Sequence, residues 1–254
     1  LLSAQSFDSE LCGDESLSKR PMARVIDPLR KMGADISGPD SKPPLKIKGG
    51  KRLSSLKYTL PVASAQIKSC LLLAGLYADG VTHIIENGIS RDHTERMLQG
   101  FGCKIDTSPG EVSILGGGNL KGCNIEVPSD ISSSAFFMVA ACIAKEADIN
   151  LQAVNVNPTR TGVIDILKLM GANIELTNER VEAGELIADI RVFSSKLKGI
   201  NIPKYLVPLA IDEFPAIFIA ASCAKGETIL TGAKELRVKE SDRIQVMADG
   251  LLSL

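Results

Sequence analysis

The sequence predicts an α+β fold of repeated βαβαββ units in two domains, on the strength of an internal repeat and a run of apolar helices. The repeat comes from three matching segments, IDPLRKMGADI (Ile26–Ile36), TERMLQGFGCKI (Thr94–Ile105) and IDILKLMGANI (Ile164–Ile174). Their glycines, Gly33, Gly102 and Gly171, step 69 residues at a time, from 33 to 102 and from 102 to 171. A fixed period of this kind signals a repeated structural unit. The second observation is ASAQIKSCLLLAGLYADG, SDISSSAFFMVAACIAKEA and AIDEFPAIFIAASCAKG, which are apolar on almost every side. Helices without a polar face belong in a core.

Each element of the unit follows from local chemistry. The 69-residue segments carry apolar residues at i, i+3, i+4 and i+7, and a glycine stops each one, so they predict amphipathic helices followed by a short strand. The apolar helices lead into VTHIIEN, DINLQAV and ETILTGA, which read as strands. SPGEVSILGGGN (Ser108–Asn119) supplies Pro-Gly and Gly-Gly turns. The unit is strand, buried helix, strand, amphipathic helix and a strand pair, too long for a thin solenoid. Val127-Pro128-Ser129-Asp130 interrupts the strand pattern, which predicts domains over 1–127 and 128–254, the second one incomplete. The last helix opens near Glu240 and meets no matching glycine by Leu254. With Leu rather than Met at position 1, this predicts a piece of a longer chain.

Composition narrows the function. The 254 residues are 44% hydrophobic, enough for a substantial core. Twenty-nine basic residues balance 30 acidic ones, and aromatics are 4% with no Trp. No global positive field or stacking platform would gather nucleic acid, so an anionic ligand needs a local basic cluster. The six cysteines form no C-x-x-C pair and stand at no zinc-ligand spacing with His83 and His93, so no metal is expected. Cys70, Cys142 and Cys223 sit in apolar runs as small core residues, which fits a reduced, cytoplasmic protein. No apolar run is long enough to span a bilayer, and Leu1–Leu11 lacks the basic start of a signal peptide.

Four polar patterns carry candidate chemistry. Lys19-Arg20-Pro21-Met22 places Arg20 beside a helix start if Pro21 takes the first helical position, where N–H groups and a guanidinium make an anion site. On spacing alone, a solvated arginine is the simpler reading. Ala63-Ser64-Ala65-Gln66 offers a hydroxyl and an amide at a helix N-terminus, suited to phosphate, although Ser64 also serves as an ordinary cap. Gly88–Arg96 contains Ser90 or Asp92 as a cap, with Arg91 and Arg96 available to anions; a surface charge run is the simpler reading. Asp212-Glu213 against an apolar helix presents carboxyls whose burial would raise their pKa. Lys239-Glu240-Ser241-Asp242-Arg243 opens another helix, with Glu240 and Arg243 on one face, the ordinary spacing of a surface ion pair.

Together GDESLSKRPM, LPVASAQIKS, ISRDHTERML, AIDEFPA and ELRVKESDRI resemble, in order, the signature stretches of the 5-enolpyruvylshikimate-3-phosphate synthases. The resemblance runs the whole chain. Its Ser-Ala-Gln form is similar to the subgroup often tolerant of glyphosate. It implies three βαβαββ units per domain and an enolpyruvyl transfer from phosphoenolpyruvate to shikimate-3-phosphate in aromatic amino-acid biosynthesis. Ser64, Ala65, Gln66, Arg91, Asp212 and Lys239 would hold shikimate-3-phosphate. Arg20, Gln66 and Arg243 would hold phosphoenolpyruvate, and Asp212, Lys239 and Glu240 would share the proton transfers. No cofactor, nucleic acid or membrane is implied, and the resemblance fits a monomer. The family's N-terminal Lys-Ser…Arg and Asn-x-Gly-Thr stretches, its later Asp-His-Arg segment and its last active-site Lys are absent, so these residues alone are expected to be inactive.

Two rivals predict different things. A UDP-N-acetylglucosamine enolpyruvyl transferase shares the repeat, but no cysteine here lies in a basic loop that would activate it. A noncatalytic repeat scaffold would have no reason to bring Asp212, Lys239 and Arg243 together.

Overall fold

The computed structural model describes residues 1–239 and 241–254, and it repeats one supersecondary unit along the chain. Two units separate, Leu1–Asn124 and Ile125–Leu254. The first runs β1 (Ser9–Leu11), α1 (Glu15–Ser18), α2 (Ala23–Lys31), β2 (Asp35–Ser37), β3 (Leu45–Lys48), β4 (Leu53–Ser54), β5 (Lys57–Thr59), α3 (Ala65–Gly75), β6 (Ala78–Asp79), β7 (Val81–Ile85), α4 (His93–Gly100), β8 (Ile105–Ser108) and β9 (Glu111–Leu115). The second runs α5 (Ile131–Ile143), β10 (Asp148–Asn155), α6 (Gly162–Leu169), β11 (Asn173–Glu182), β12 (Glu185–Phe193), α7 (Phe214–Ser222) and α8 (Arg243–Leu252).

The three repeat glycines end α2, α4 and α6 in one geometry. Gly33, Gly102 and Gly171 have φ of 97°, 77° and 96°, the left-handed region in which a Cβ is strained. Each glycine N–H donates to the carbonyl three residues back: Arg30, Gln99 and Lys168. The next N–H, of Ala34, Cys103 or Ala172, donates to Leu29, Leu98 or Leu167. This pair of bonds closes the helix and turns the chain into a strand. Three residues past each glycine stand Ile36, Ile105 and Ile174, all buried, each stabilising by about 1.5–3 kcal/mol.

The middle copy is complete. β5 and β7 pair in parallel across α3, and β9 pairs antiparallel with both β7 and β8, in the order β5-β7-β9-β8. The next copy has the same plan in the order β10-β12-β11, with its first strand reduced to the parallel bridge Ser129–Val154. In the first copy β1-β3-β2 is antiparallel throughout. Separate apolar cores fill the two units.

Three expectations change. ETILTGA (Glu227–Ala233) forms no strand; it makes the single parallel bridge Asn201–Ile229, and the neighbouring bridge Lys198–Lys225 lies before it, on the other side of Gly226 at φ 95°. α5 is apolar on every side yet leaves Phe136 and Phe137 exposed, since its other face alone packs into the unit's core. Cys142 is buried, its thiol pushed up to about 11 by burial, whereas Cys223 at the end of α7 is exposed.

Gly171 tests the helix stop. A Cβ there would meet only the Lys196 carbonyl at 3.5 Å, so the strain comes from φ rather than from a clash. Gly171→Ala should therefore cost about 1–2 kcal/mol. A urea-unfolding midpoint unchanged at constant m would show that the helix end relaxes out of the left-handed region.

Candidate active site

In the first unit the candidate residues gather around the start of α3. Ser64, extended at φ −147° and ψ 108°, caps that helix by accepting the Ile67 N–H at 3.4 Å. Ala65 is the first helical residue, and the Gln66 side chain is exposed. One turn further, Lys68 points inward. Its Nζ lies 2.7 Å from Glu86 and 2.7 Å from Glu95, and its side chain is only 3% exposed. Glu86 also accepts from the hydroxyl of Ser90, the residue before Arg91. Thr94 donates to Ser69 at 2.6 Å. Three segments are thus tied by one buried ionic cluster: the α3 start, the chain at 86–91 and α4.

That cluster replaces the expected caps. Asp92 stands at the α4 N-cap but makes no side-chain cap bond; its carboxylate accepts from Arg96 Nε at 2.8 Å instead. Arg20 is exposed on the turn after α1. Pro21 is not the first helical residue, because Met22 is the N-cap and the helix begins at Ala23. Arg20 consequently stands two residues further from the helix start than the expected geometry requires.

In the second unit carboxylates and guanidiniums meet at the starts of α5, α7 and α8. Asp212 Oδ1 accepts from Arg243 Nη1 at 3.1 Å, both partly buried. Glu213, the α7 N-cap residue, is 2% exposed. Its Oε1 accepts from the Ser132 hydroxyl and lies 3.5 Å from Arg160 Nη2, which also donates to that hydroxyl. Asp130 caps α5 through the Ser133 N–H at 2.9 Å and sits 3.4 Å from Arg160. Burial alone would raise the Asp130 carboxyl, but the Ser133 and Ser132 donors and Arg160 hold it below its ordinary value.

Around the start of α8, Asp212, Arg243 and Lys239 divide between two ion pairs. The helix begins at Arg243, because Asp242 caps it by accepting the Gln245 N–H at 3.0 Å. Glu240, expected to share a face with Arg243, lies outside the described residues. Lys239 pairs with Glu235 at 2.5 Å rather than with Asp212. The structure therefore joins Asp212 to Arg243 and leaves Lys239 on a neighbouring pair.

Lys68, Glu86, Ser132 and Arg160 were not singled out as site residues. The repeat held the signal: Arg160 stands one 69-residue period after Arg91, and Glu95 stands at the repeat position of the buried Ile26 and Ile164. Among the described residues, no group of three His, Cys, Asp or Glu is placed to hold a metal ion.

This fold is that of the enolpyruvyl transferases: it superposes on an enolpyruvyl transferase, NikO from Streptomyces tendae, with a TM-score of 0.69 at 14% identity, over 87% of this chain and 52% of that one. A family model for EPSP synthase (3-phosphoshikimate 1-carboxyvinyltransferase) matches residues 1–254. The chain belongs to the EPSP synthase family. It is 70% identical over 251 residues to a 3-phosphoshikimate 1-carboxyvinyltransferase of Vesicomyosocius okutanii subsp. Calyptogena okutanii, covering 99% of this chain and 58% of the relative. With the protein of that name from Hydrogenovibrio crunogenus it shares 61% identity over 260 residues, all of this chain and 58% of the relative. An EPSP synthase structure from Acinetobacter baumannii superposes with a TM-score of 0.90 at 61% identity, over 99% of this chain and 57% of that one. The chain thus spans less than two thirds of the length of these relatives.

Two measurements probe the site's supports. Lys68→Ala leaves two buried carboxylates without their cation and should cost about 3–5 kcal/mol at neutral pH; a loss below about 1 kcal/mol in urea unfolding would mean that water reaches the cluster. Asp242 tests the α8 cap by pH. The Gln245 N–H, and beyond it Arg237, hold its carboxyl below 3.8. A depressed folded value contributes stability above the unfolded value and loses it as pH falls through the folded one. The unfolding midpoint should therefore drop on acidification below about pH 4, and less steeply in Asp242→Asn.

Proposed function

We propose that this chain is the greater part of an enzyme that moves the enolpyruvyl group of phosphoenolpyruvate to the 5-hydroxyl of shikimate-3-phosphate, releasing phosphate. The observation that carries the reading is the Asp212–Arg243 pair at 3.1 Å, in a chain whose family model covers residues 1–254. A carboxylate gripping a guanidinium at a helix start places a proton acceptor beside an anion receptor.

In this reading Ser64, Ala65, Gln66 and Arg91 hold shikimate-3-phosphate, and Asp212 and Lys239 face its reacting hydroxyl. Arg20, Gln66 and Arg243 hold phosphoenolpyruvate. The 5-oxygen bonds to C2 of phosphoenolpyruvate and gives up its proton, while C3 gains one. The tetrahedral adduct then loses a C3 proton, the C2–C3 double bond re-forms, and phosphate leaves with the C2–O electrons. Asp212, Lys239 and Glu240 share these proton transfers, and the arginines stabilise charge by preorganisation. Helix lengths fit a cytoplasmic enzyme, since no helix among the described residues is long and apolar enough to cross a membrane. We assign it as a monomer.

The test uses the longest natural chain that carries these residues. Calorimetry should detect saturable binding of shikimate-3-phosphate, and adding phosphoenolpyruvate should release phosphate. Asp212→Ala or Lys239→Ala should lower kcat by about 10²–10⁴-fold. Turnover with UDP-N-acetylglucosamine instead would assign the other transferase, and binding of neither acceptor would leave a scaffold.

A further inference from the structure

Arg91 in the first unit and Arg160 in the second occupy the same point of the 69-residue repeat, on the segment that leads into an amphipathic helix, α4 or α6. The start of a buried helix lies nearby in both units: Ser64, Ala65 and Gln66 open α3, and Ser132 and Ser133 lie in the first turn of α5, where the 69-residue step carries Ser64 to Ser133 and Ala63 to Ser132. In the first unit these two positions are assigned above to shikimate-3-phosphate. In the second unit they converge on an anion supplied by the chain itself, the carboxylate of Glu213, which receives the Ser132 hydroxyl and faces Arg160. Glu213 is 2% exposed and immediately follows Asp212.

We propose that Glu213 is an internal anion filling the repeat's anion notch in the second unit, and that it acts as a positioning residue for Asp212. The physical argument is local. If this buried carboxylate left its place, the Ser132 hydroxyl would lose its acceptor and Arg160 would keep only the more exposed Asp130 carboxylate, 3.4 Å away. Glu213 N–H also donates to the Ala210 carbonyl at 3.1 Å, and its own carbonyl accepts from Ile217 at 3.0 Å. Side chain and backbone together therefore fix the turn from which Asp212 reaches Arg243. Closing this copy of the notch from within makes it a rigid support.

This inference rests on the functional reading above, and its test separates the two. Glu213→Ala, with Glu213→Gln as the variant that keeps the shape, is made in the longest natural chain. The notch predicts that sodium formate, against sodium chloride at equal ionic strength, raises the thermal midpoint of Glu213→Ala saturably and leaves the wild type unmoved. Positioning predicts that kcat per folded molecule falls about 100-fold, the scale of a displacement near 1 Å. Formate should restore at least tenfold of it. The paired variant Arg160→Met/Glu213→Met removes both charges, so it should recover the thermal midpoint while its kcat stays low. Absence of any formate effect in Glu213→Ala, or recovery of turnover along with stability in the paired variant, overturns the proposal. A wild-type chain without turnover defeats the functional reading alone, and the thermal arm still decides whether the notch accepts a carboxylate.

Discussion

The constraint on which the rest of the structure depends is the left-handed turn at Gly33, Gly102 and Gly171. Each glycine stops an amphipathic helix, redirects the chain by two backbone hydrogen bonds and delivers a buried isoleucine three residues later. Without the stop, the helix would run past the point where its strand must join the sheet. With it, helix face and strand face reach the core in register. The repeated order of strands in the two sheets, first, second, fourth and third, follows from one local device used three times.

That regular frame gives charged groups a place to be buried. Lys68 with Glu86 and Glu95, and Arg160 with Glu213 and Ser132, each close the space between a buried helix and the segment entering an amphipathic one. Such clusters contribute little net stability compared with apolar side chains of equal volume, and breaking them is costly. Their effect is therefore one of specificity of arrangement. Helix starts that carry Ser64, Asp212 and Arg243 cannot drift without exposing or stranding a buried charge. The candidate site borrows its rigidity from these supports.

Much of the fold was legible along the chain, because periodicity records which side of an element faces the core. The glycine stops, the apolar helices and the strands after α3 and α5 were all visible in this way. ETILTGA was not, since a strand needs a partner with free backbone groups, and only a single bridge is available to it. A capping carboxylate, Asp242, decides where α8 begins. Pro21 lies outside α2 because Met22, whose N–H donates to the Ser41 carbonyl, stands at the N-cap position.

By itself the sequence determined the repeat, the class of fold and the family, for these depend on residue order and period. It also offered Ser64, Arg91, Asp212 and Arg243 as candidate site residues. Which charges meet was decided only by the tertiary structure. Asp212 takes Arg243, and Glu213 turns inward to Ser132 and Arg160. Pairings between residues 28 to 81 positions apart depend on where packed helices bring their ends, and no local pattern in the chain encodes that distance.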